Sequence, residues 1–168
     1  MANFEYRMAT DEELEKIWNE KILRNPGSER WADWRTEYIN YNANNHSANT
    51  FVIIADNQPV GEGTLLLSPD CSSIGGRLNL ANNKDIGNIN ALRVSKEFEG
   101  MGHMSKLIQH MEAYAREKGI KELTIGVEAK ETRNIGIYLH WGYNVFVTSE
   151  IEDGELVLYY KKDIAQCA

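Results

Sequence analysis

Two glycines one residue apart, Gly100-Met101-Gly102, stand between a strand-like segment and a helix-like one. Before them, Ile86, Asn88, Asn90, Leu92 and Val94 alternate with Gly87, Ile89, Ala91 and Arg93, the period of a strand with two different faces. After them, Met104, Leu107, Ile108, Met111 and Ala115 recur at the spacing of an amphipathic helix, which is expected to stop at Lys118-Gly119. Such a turn brings unpaired main-chain N–H groups and the positive end of a helix dipole to one point, so its chemistry is the binding of an anion, a phosphate above all. Two phosphate-binding patterns fit poorly. The dinucleotide fingerprint wants a third glycine in an early βαβ unit, whereas Ser105 follows here and the turn lies past the chain midpoint. The P-loop wants four residues between its glycines and then Gly-Lys-Ser/Thr, which Gly102-His103-Met104-Ser105-Lys106 does not supply.

The elements around the turn can be read from spacing. Thr10-Asp11-Glu12-Glu13 is a capping box ahead of Leu14, Ile17, Trp18 and Ile22, a first helix that ends at Asn25-Pro26-Gly27. A second helix starts after Ser28, carries Trp31, Trp34, Tyr38 and Tyr41 on one face, and breaks up in the polar run Asn42 to Asn49. Phe51 to Ala55 and Val60 to Leu67 read as a hairpin across Asp56-Asn57-Gln58. Ser68 to Asp85, rich in Gly, Asn, Ser and Asp, is a long connection with room for a short strand around Arg77-Leu78-Asn79-Leu80. Glu122 to Val127 is a strand, Thr132 to Leu139 a short helix ending near Gly142, and Tyr143 to Ser149 pairs with Glu155 to Lys161 across Glu152-Asp153-Gly154. The order is ααββββαβαββ, or one strand fewer, over a single domain spanning residues 1–168.

Leu92 to Leu107 resembles motif A of the GNAT superfamily of acyl-CoA-dependent N-acetyltransferases: a strand ending in Val94, a short loop, the pattern R/Q-x-x-G-x-G/A, then a helix. Ile137-Tyr138-Leu139-His140-Trp141-Gly142-Tyr143 resembles the Leu-Tyr-x-x-x-Gly-Phe signature of the same superfamily, in the right order downstream. The resemblance implies an α/β (α+β) fold with a mixed, mostly antiparallel sheet of six to seven strands, flanked by about four helices. It also implies that the sheet splays where the Ile86 to Val94 strand leaves the Glu122 to Val127 strand, to admit acetyl-CoA as cosubstrate. Cofactor contacts are then expected from Leu92, Arg93 and Val94, from Glu99, Gly100, Met101, Gly102, His103, Met104 and Ser105, and from Asn134 and Tyr138. Tyr138 takes the place of the tyrosine that protonates the departing thiolate. Glu99 stands where the family has Gln or Arg, Met104 where it has Gly or Ala, and Glu131 where it has Asn.

The attacking amine must lose a proton, and the positions that carry a glutamate in some family members are Asn88 and Gly126 here, neither able to take one. Glu62, between Gly61 and Gly63, is the candidate general base, with Asp85, Glu128 and a water chain as alternatives. Trp31, Trp34 and Tyr38 with the Ser68 to Asp85 connection are expected to form the pocket for a small primary amine. Two other readings remain open: an acyl-CoA sensor without turnover, and acetylation of a protein or peptide amine.

A formal charge of -7 over 168 residues argues against a nucleic-acid partner, which needs concentrated Lys and Arg. No apolar run approaches the length of a membrane span, and the start of the chain has no basic and apolar leader pattern, so a cytoplasmic protein is expected. His46, His103, His110 and His140 are scattered, and Cys71 and Cys167 read as reduced thiols, so no metal is expected. The resemblance is compatible with a homodimer.

Overall fold

The computed structural model describes residues 3–43 and 47–165; His46 and Cys167 lie outside the described residues, as do residues 44–46 of the polar run. The chain folds as β1 (Phe4–Met8), α1 (Asp11–Arg24), α2 (Arg30–Ala43), β2 (Ala48–Ala55), β3 (Gln58–Leu66), β4 (Ile86–Val94), α3 (His103–Glu117), β5 (Glu122–Glu128), α4 (Thr132–His140), β6 (Val145–Glu152) and β7 (Glu155–Asp163). A single 3-10 turn, Lys96–Phe98, separates β4 from the glycines. The strands form a seven-stranded sheet in the order β1-β2-β3-β4-β5-β7-β6. β4 and β5 are parallel, while β1/β2, β5/β7 and β6/β7 are antiparallel. None of the described helices is long and apolar enough to cross a membrane.

One strand is additional to the sequence reading, and one that the sequence leaves open is absent. β1 was not expected, although Phe4, Tyr6 and Met8 alternate with Glu5 and Arg7; its partner is β2, in a register from Phe4↔Ala55 to Met8↔Phe51. A five-residue strand is specified by its neighbour, and its own pattern is too short to declare it. The short strand for which the sequence leaves room around Arg77-Leu78-Asn79-Leu80 does not form, so the order has one strand fewer in that connection. The Arg77 amide donates to the Ile74 carbonyl at 3.1 Å, and the Leu80 amide donates to the Arg77 carbonyl at 3.0 Å, so local turn bonds take the groups that a ladder would use.

The chain divides into two compact units, described in turn. The first holds the residues up to Leu65 together with Ala91–His110. Its α1 begins with the capping box foreseen from sequence, Thr10 accepting from the Glu13 amide and the Glu13 side chain accepting from the Thr10 amide. Glu13 also takes a two-pronged bond from Arg7 of β1, at 2.7 and 2.9 Å, which ties the edge strand to the helix start. Ile17 packs with Val52 and Ile54, and Trp18 with Tyr38 at 4.8 Å between ring centres. Asp56 and Asn57, both at positive φ, make the two-residue turn of the β2/β3 hairpin. At Gly61 an added Cβ would lie 2.9 Å from the Arg93 carbonyl oxygen and 2.7 Å from Ile53 Cδ1, so only glycine permits this approach of β3 to β4.

The second unit holds Leu66–Asn90 and the residues from Met111 onward. The parallel ladder between β4 and β5 runs from Ile86↔Glu122 to Ile89↔Ile125 and stops there, while β5 continues to Glu128. Asn88 and Thr124 are buried and bonded to each other at 2.9 Å, with the Thr124 hydroxyl donating to the Leu80 carbonyl. Around the end of α4, the buried Tyr143 hydroxyl donates to Glu112 at 2.7 Å, and Lys162 closes the charge on Glu112 at 2.9 Å. Gly142, at φ +99, lets the aliphatic part of Lys162 pass close by.

Burial, followed by the nearby Glu112 carboxylate, raises the Tyr143 phenol well above its ordinary 10.0. The unfolded chain ionises near that ordinary value while the folded chain keeps the proton to higher pH. The corresponding stability is therefore intact below pH 10.0 and is lost as pH rises beyond it. Thermal unfolding followed across this range is expected to show a falling Tm on the alkaline side, and Tyr143→Phe is expected to flatten that fall.

Candidate active site

β4 ends at Val94, and the Ser95 amide returns to β3 by donating to the Val60 carbonyl at 2.7 Å. The 3-10 turn then leads through Glu99, which is exposed, to Gly100 at φ +74 and Gly102 at φ +82. Both lie in the left-handed region, where glycine pays no Cβ penalty, and this is the local reason for the pair. His103 opens α3, and the Lys106 amide makes the helix's first bond to the Gly102 carbonyl at 3.2 Å. Among the described residues the six N–H groups from Gly100 to Ser105 have no main-chain or side-chain acceptor. No acidic side chain lies in the first turn of α3 to compete for them. A row of free donors at the positive end of a 15-residue helix is an anion site.

The first turn of α3 is held from behind by β1. His103 is 7% exposed; its ring stacks on Phe4 at 4.1 Å and shares a 2.7 Å hydrogen bond between its Nδ1 and the Tyr6 hydroxyl. Burial, and then the charge of Lys106, lower its pKa, so the ring is neutral at pH 7 and adds no charge to the turn. His103 is therefore a packing residue by its side chain and a donor by its amide. Tyr6 and Phe4 carry no sequence signal for this role, because the five residues of β1 are too few to declare a strand.

Ala91, also in the first unit, sits at φ +52 in the middle of β4. A non-glycine residue there costs on the order of 1–2 kcal/mol and re-aims the strand locally. Leu92, Arg93 and Val94 follow it and are each partly buried. Of these three, Arg93 has its side chain held by a carboxylate. Its Nε and Nη2 donate to the two oxygens of Glu62 at 2.9 and 3.1 Å, and Lys21 Nζ lies 2.9 Å from Glu62 Oε1. Glu62, the expected base, thus has both oxygens engaged at 2% exposure. Lys21 went unnoticed in the sequence, yet the signal was present: it falls one turn after Ile17 and Trp18 on the buried stripe of α1, where a lysine needs a partner.

In the second unit, α4 carries Asn134 and Tyr138, four residues apart and so on one face. Tyr138 stacks on Trp141 at 5.6 Å, and its carbonyl accepts from the Tyr143 amide at 3.0 Å. Burial, then the negative charge of Glu131, raise its phenol to about 12, so it carries its proton at neutral pH. Such a group can give a proton to a developing thiolate. Asn88 is committed to Thr124, and a Cβ at Gly126 would meet the Tyr159 ring at 2.7 Å, so β4 and β5 offer no room for a carboxylate at these two positions. Of the alternative bases, Asp85 accepts from the Asn82 side chain at 2.8 Å and Glu128 faces Lys130 at 3.6 Å.

Comparison with known proteins identifies the family. The profile of the acetyltransferase (GNAT) family matches residues 10–143. Among curated proteins no match is found. A GNAT-family structure from Desulfovibrio desulfuricans is similar at a TM-score of 0.73 and 12% identity, over 97% of this chain and 100% of that one. A GNAT acetyltransferase from Elizabethkingia anophelis with acetyl-CoA bound is similar at 0.62 and 15%, over 96% and 98%. A variant of spermidine N-acetyltransferase from Vibrio cholerae is similar at 0.69 and 15%, over 96% and 95%. At these identities the likeness is one of fold, and GNAT acetyltransferases use acetyl-CoA as cosubstrate. With the family profile covering most of its length, the chain belongs to the GNAT family of acetyltransferases.

Proposed function

We propose that this acetyltransferase moves the acetyl group of acetyl-CoA to a primary amine of a small molecule by direct attack, in the cytoplasm, as one domain of residues 1–168. The observation that supports the reading is the row of N–H groups from Gly100 to Ser105, without acceptors among the described residues, at the start of a helix. Leu92 and Val94 offer main-chain groups to the pantetheine arm and the acetyl carbonyl, and Asn134 on α4 is assigned a supporting contact. In the transfer, the amine nitrogen bonds to the carbonyl carbon, the carbon–sulfur bond breaks, and the sulfur takes a proton from the Tyr138 hydroxyl. The amine's own proton passes to solvent, and Tyr138 takes one back from solvent to restore its hydroxyl. Glu62, with both oxygens held by Lys21 and Arg93, is assigned to positioning those two side chains, a different task from the proton acceptor expected from sequence.

A thiol-release assay with acetyl-CoA against amino acids, polyamines, aminoglycosides and peptides tests the reaction. Thiol release that depends on a small amine is expected; acetyl-CoA binding with no product from any amine would overturn transfer in favour of a sensor. Tyr138→Phe is expected to lower kcat by about 10²-fold with little change in acetyl-CoA affinity, and an unchanged kcat would remove Tyr138 from the mechanism. Gly102→Val forces a branched side chain to φ +82 and disturbs the donor row, so acetyl-CoA affinity measured by calorimetry is expected to fall about tenfold or more.

A further inference from the structure

Three elements of the first unit bring Lys21, Glu62 and Arg93 into one cluster. Glu62 Oε1 faces Lys21 Nζ of α1 at 2.9 Å and Arg93 Nε of β4 at 2.9 Å, and Oε2 accepts from Arg93 Nη2 at 3.1 Å. Two cations against one carboxylate leave one unit of formal positive charge. Among the described residues no second carboxylate pairs with either cation. The Trp18 ring, 4.4 Å from Lys21 Nζ, offsets part of the surplus by its negative face, and it lies on the Lys21 side. An uncompensated charge in a desolvated site calls for a counter-ion.

Exposure shows where that counter-ion enters. The side chains of Glu62, Lys21 and Arg93 are 2%, 12% and 29% exposed, so the surplus charge opens outward through Arg93, whose Nη1 is not used by Glu62. The guanidinium cannot swing away, because Glu62 grips two of its nitrogens and Gly61 fixes the Arg93 backbone at close approach. A fixed, partly exposed guanidinium with a surplus positive charge behind it matches a carboxylate.

We propose that Arg93, backed by Lys21 and oriented by Glu62, binds a carboxylate on the acceptor, so that the amine acetylated is an amino-acid-like zwitterion. This rests on the acetyl-transfer reading above, in which Leu92 and Val94, the neighbours of Arg93, face the acetyl-bearing arm. A carboxylate on Arg93 then holds an amine a few bonds away from the carbonyl it attacks. A polyamine, cationic along its length, meets like charge at the same point.

The test compares phenylalanine with phenylalaninamide and phenethylamine, the same triplet built on other side chains, and spermidine, with rates corrected for the free-base fraction of each amine. The carboxylate member of a triplet is expected to have a kcat/KM about 10- to 100-fold above its neutral counterparts, carried mostly in KM. Arg93→Gln is expected to bring that ratio towards one. Arg93→Lys keeps the ion pair with Glu62 but loses the fork, and serves if the Gln variant does not fold. Neutral amines or spermidine turned over as well as the amino acids would overturn the proposal and leave acetyl transfer standing. If no amine releases thiol, transfer is the reading that fails, and calorimetry with N-acetylphenylalanine and its amide in the presence of CoA decides the carboxylate site. Binding selective for the acid and lost in Arg93→Gln supports the site; equal or absent binding overturns it.

Discussion

Among the described residues the amides that open α3 are donors without acceptors, and the chain meets several demands to keep them so. Two residues of the approach must be left-handed, which Gly100 and Gly102 supply. The first helical turn must carry no side-chain acceptor, and it carries none that is acidic. The His103 ring must be taken out of the way, and Phe4 and Tyr6 of β1 take it. A charged histidine there would alter the field of the helix terminus; burial keeps the ring neutral. An edge strand of five residues therefore has a role in positioning the turn.

The polar interior serves orientation more than stability. Buried ion pairs contribute little net free energy when their desolvation is counted, but they fix geometry. In the first unit, Glu62 fixes Arg93 and Lys21; in the second, Glu112 fixes Tyr143 and Lys162, just beyond the helix that carries Tyr138. The short signature around Tyr138 thus joins two tasks. Tyr138 has a raised phenol suited to donating a proton, while Gly142 and Tyr143 anchor the chain that follows.

Much of this was legible in the sequence because it rests on local rules. The capping box at Thr10, the alternation of β4, the amphipathic stripe of α3 with its stop at Gly119, and the glycine turn each declare themselves within a few residues. What was not legible depends on partners far along the chain. β1 exists because β2 is beside it. The engagement of Glu62 needed Lys21 and Arg93, which lie 41 residues before it and 31 after it in the sequence. Glycines flank Glu62, and at Gly61 the room that a side chain would need is filled by the Arg93 carbonyl and Ile53.

Amide hydrogen exchange measured with and without CoA addresses the central claim most directly, namely that the donors from Gly100 to Ser105 hold the pyrophosphate. Saturation with CoA should slow exchange across these amides, and pantetheine, which lacks the pyrophosphate, should leave them unprotected. Unchanged exchange at Gly100 to Ser105 under saturating CoA, or equal protection by pantetheine, would contradict the account.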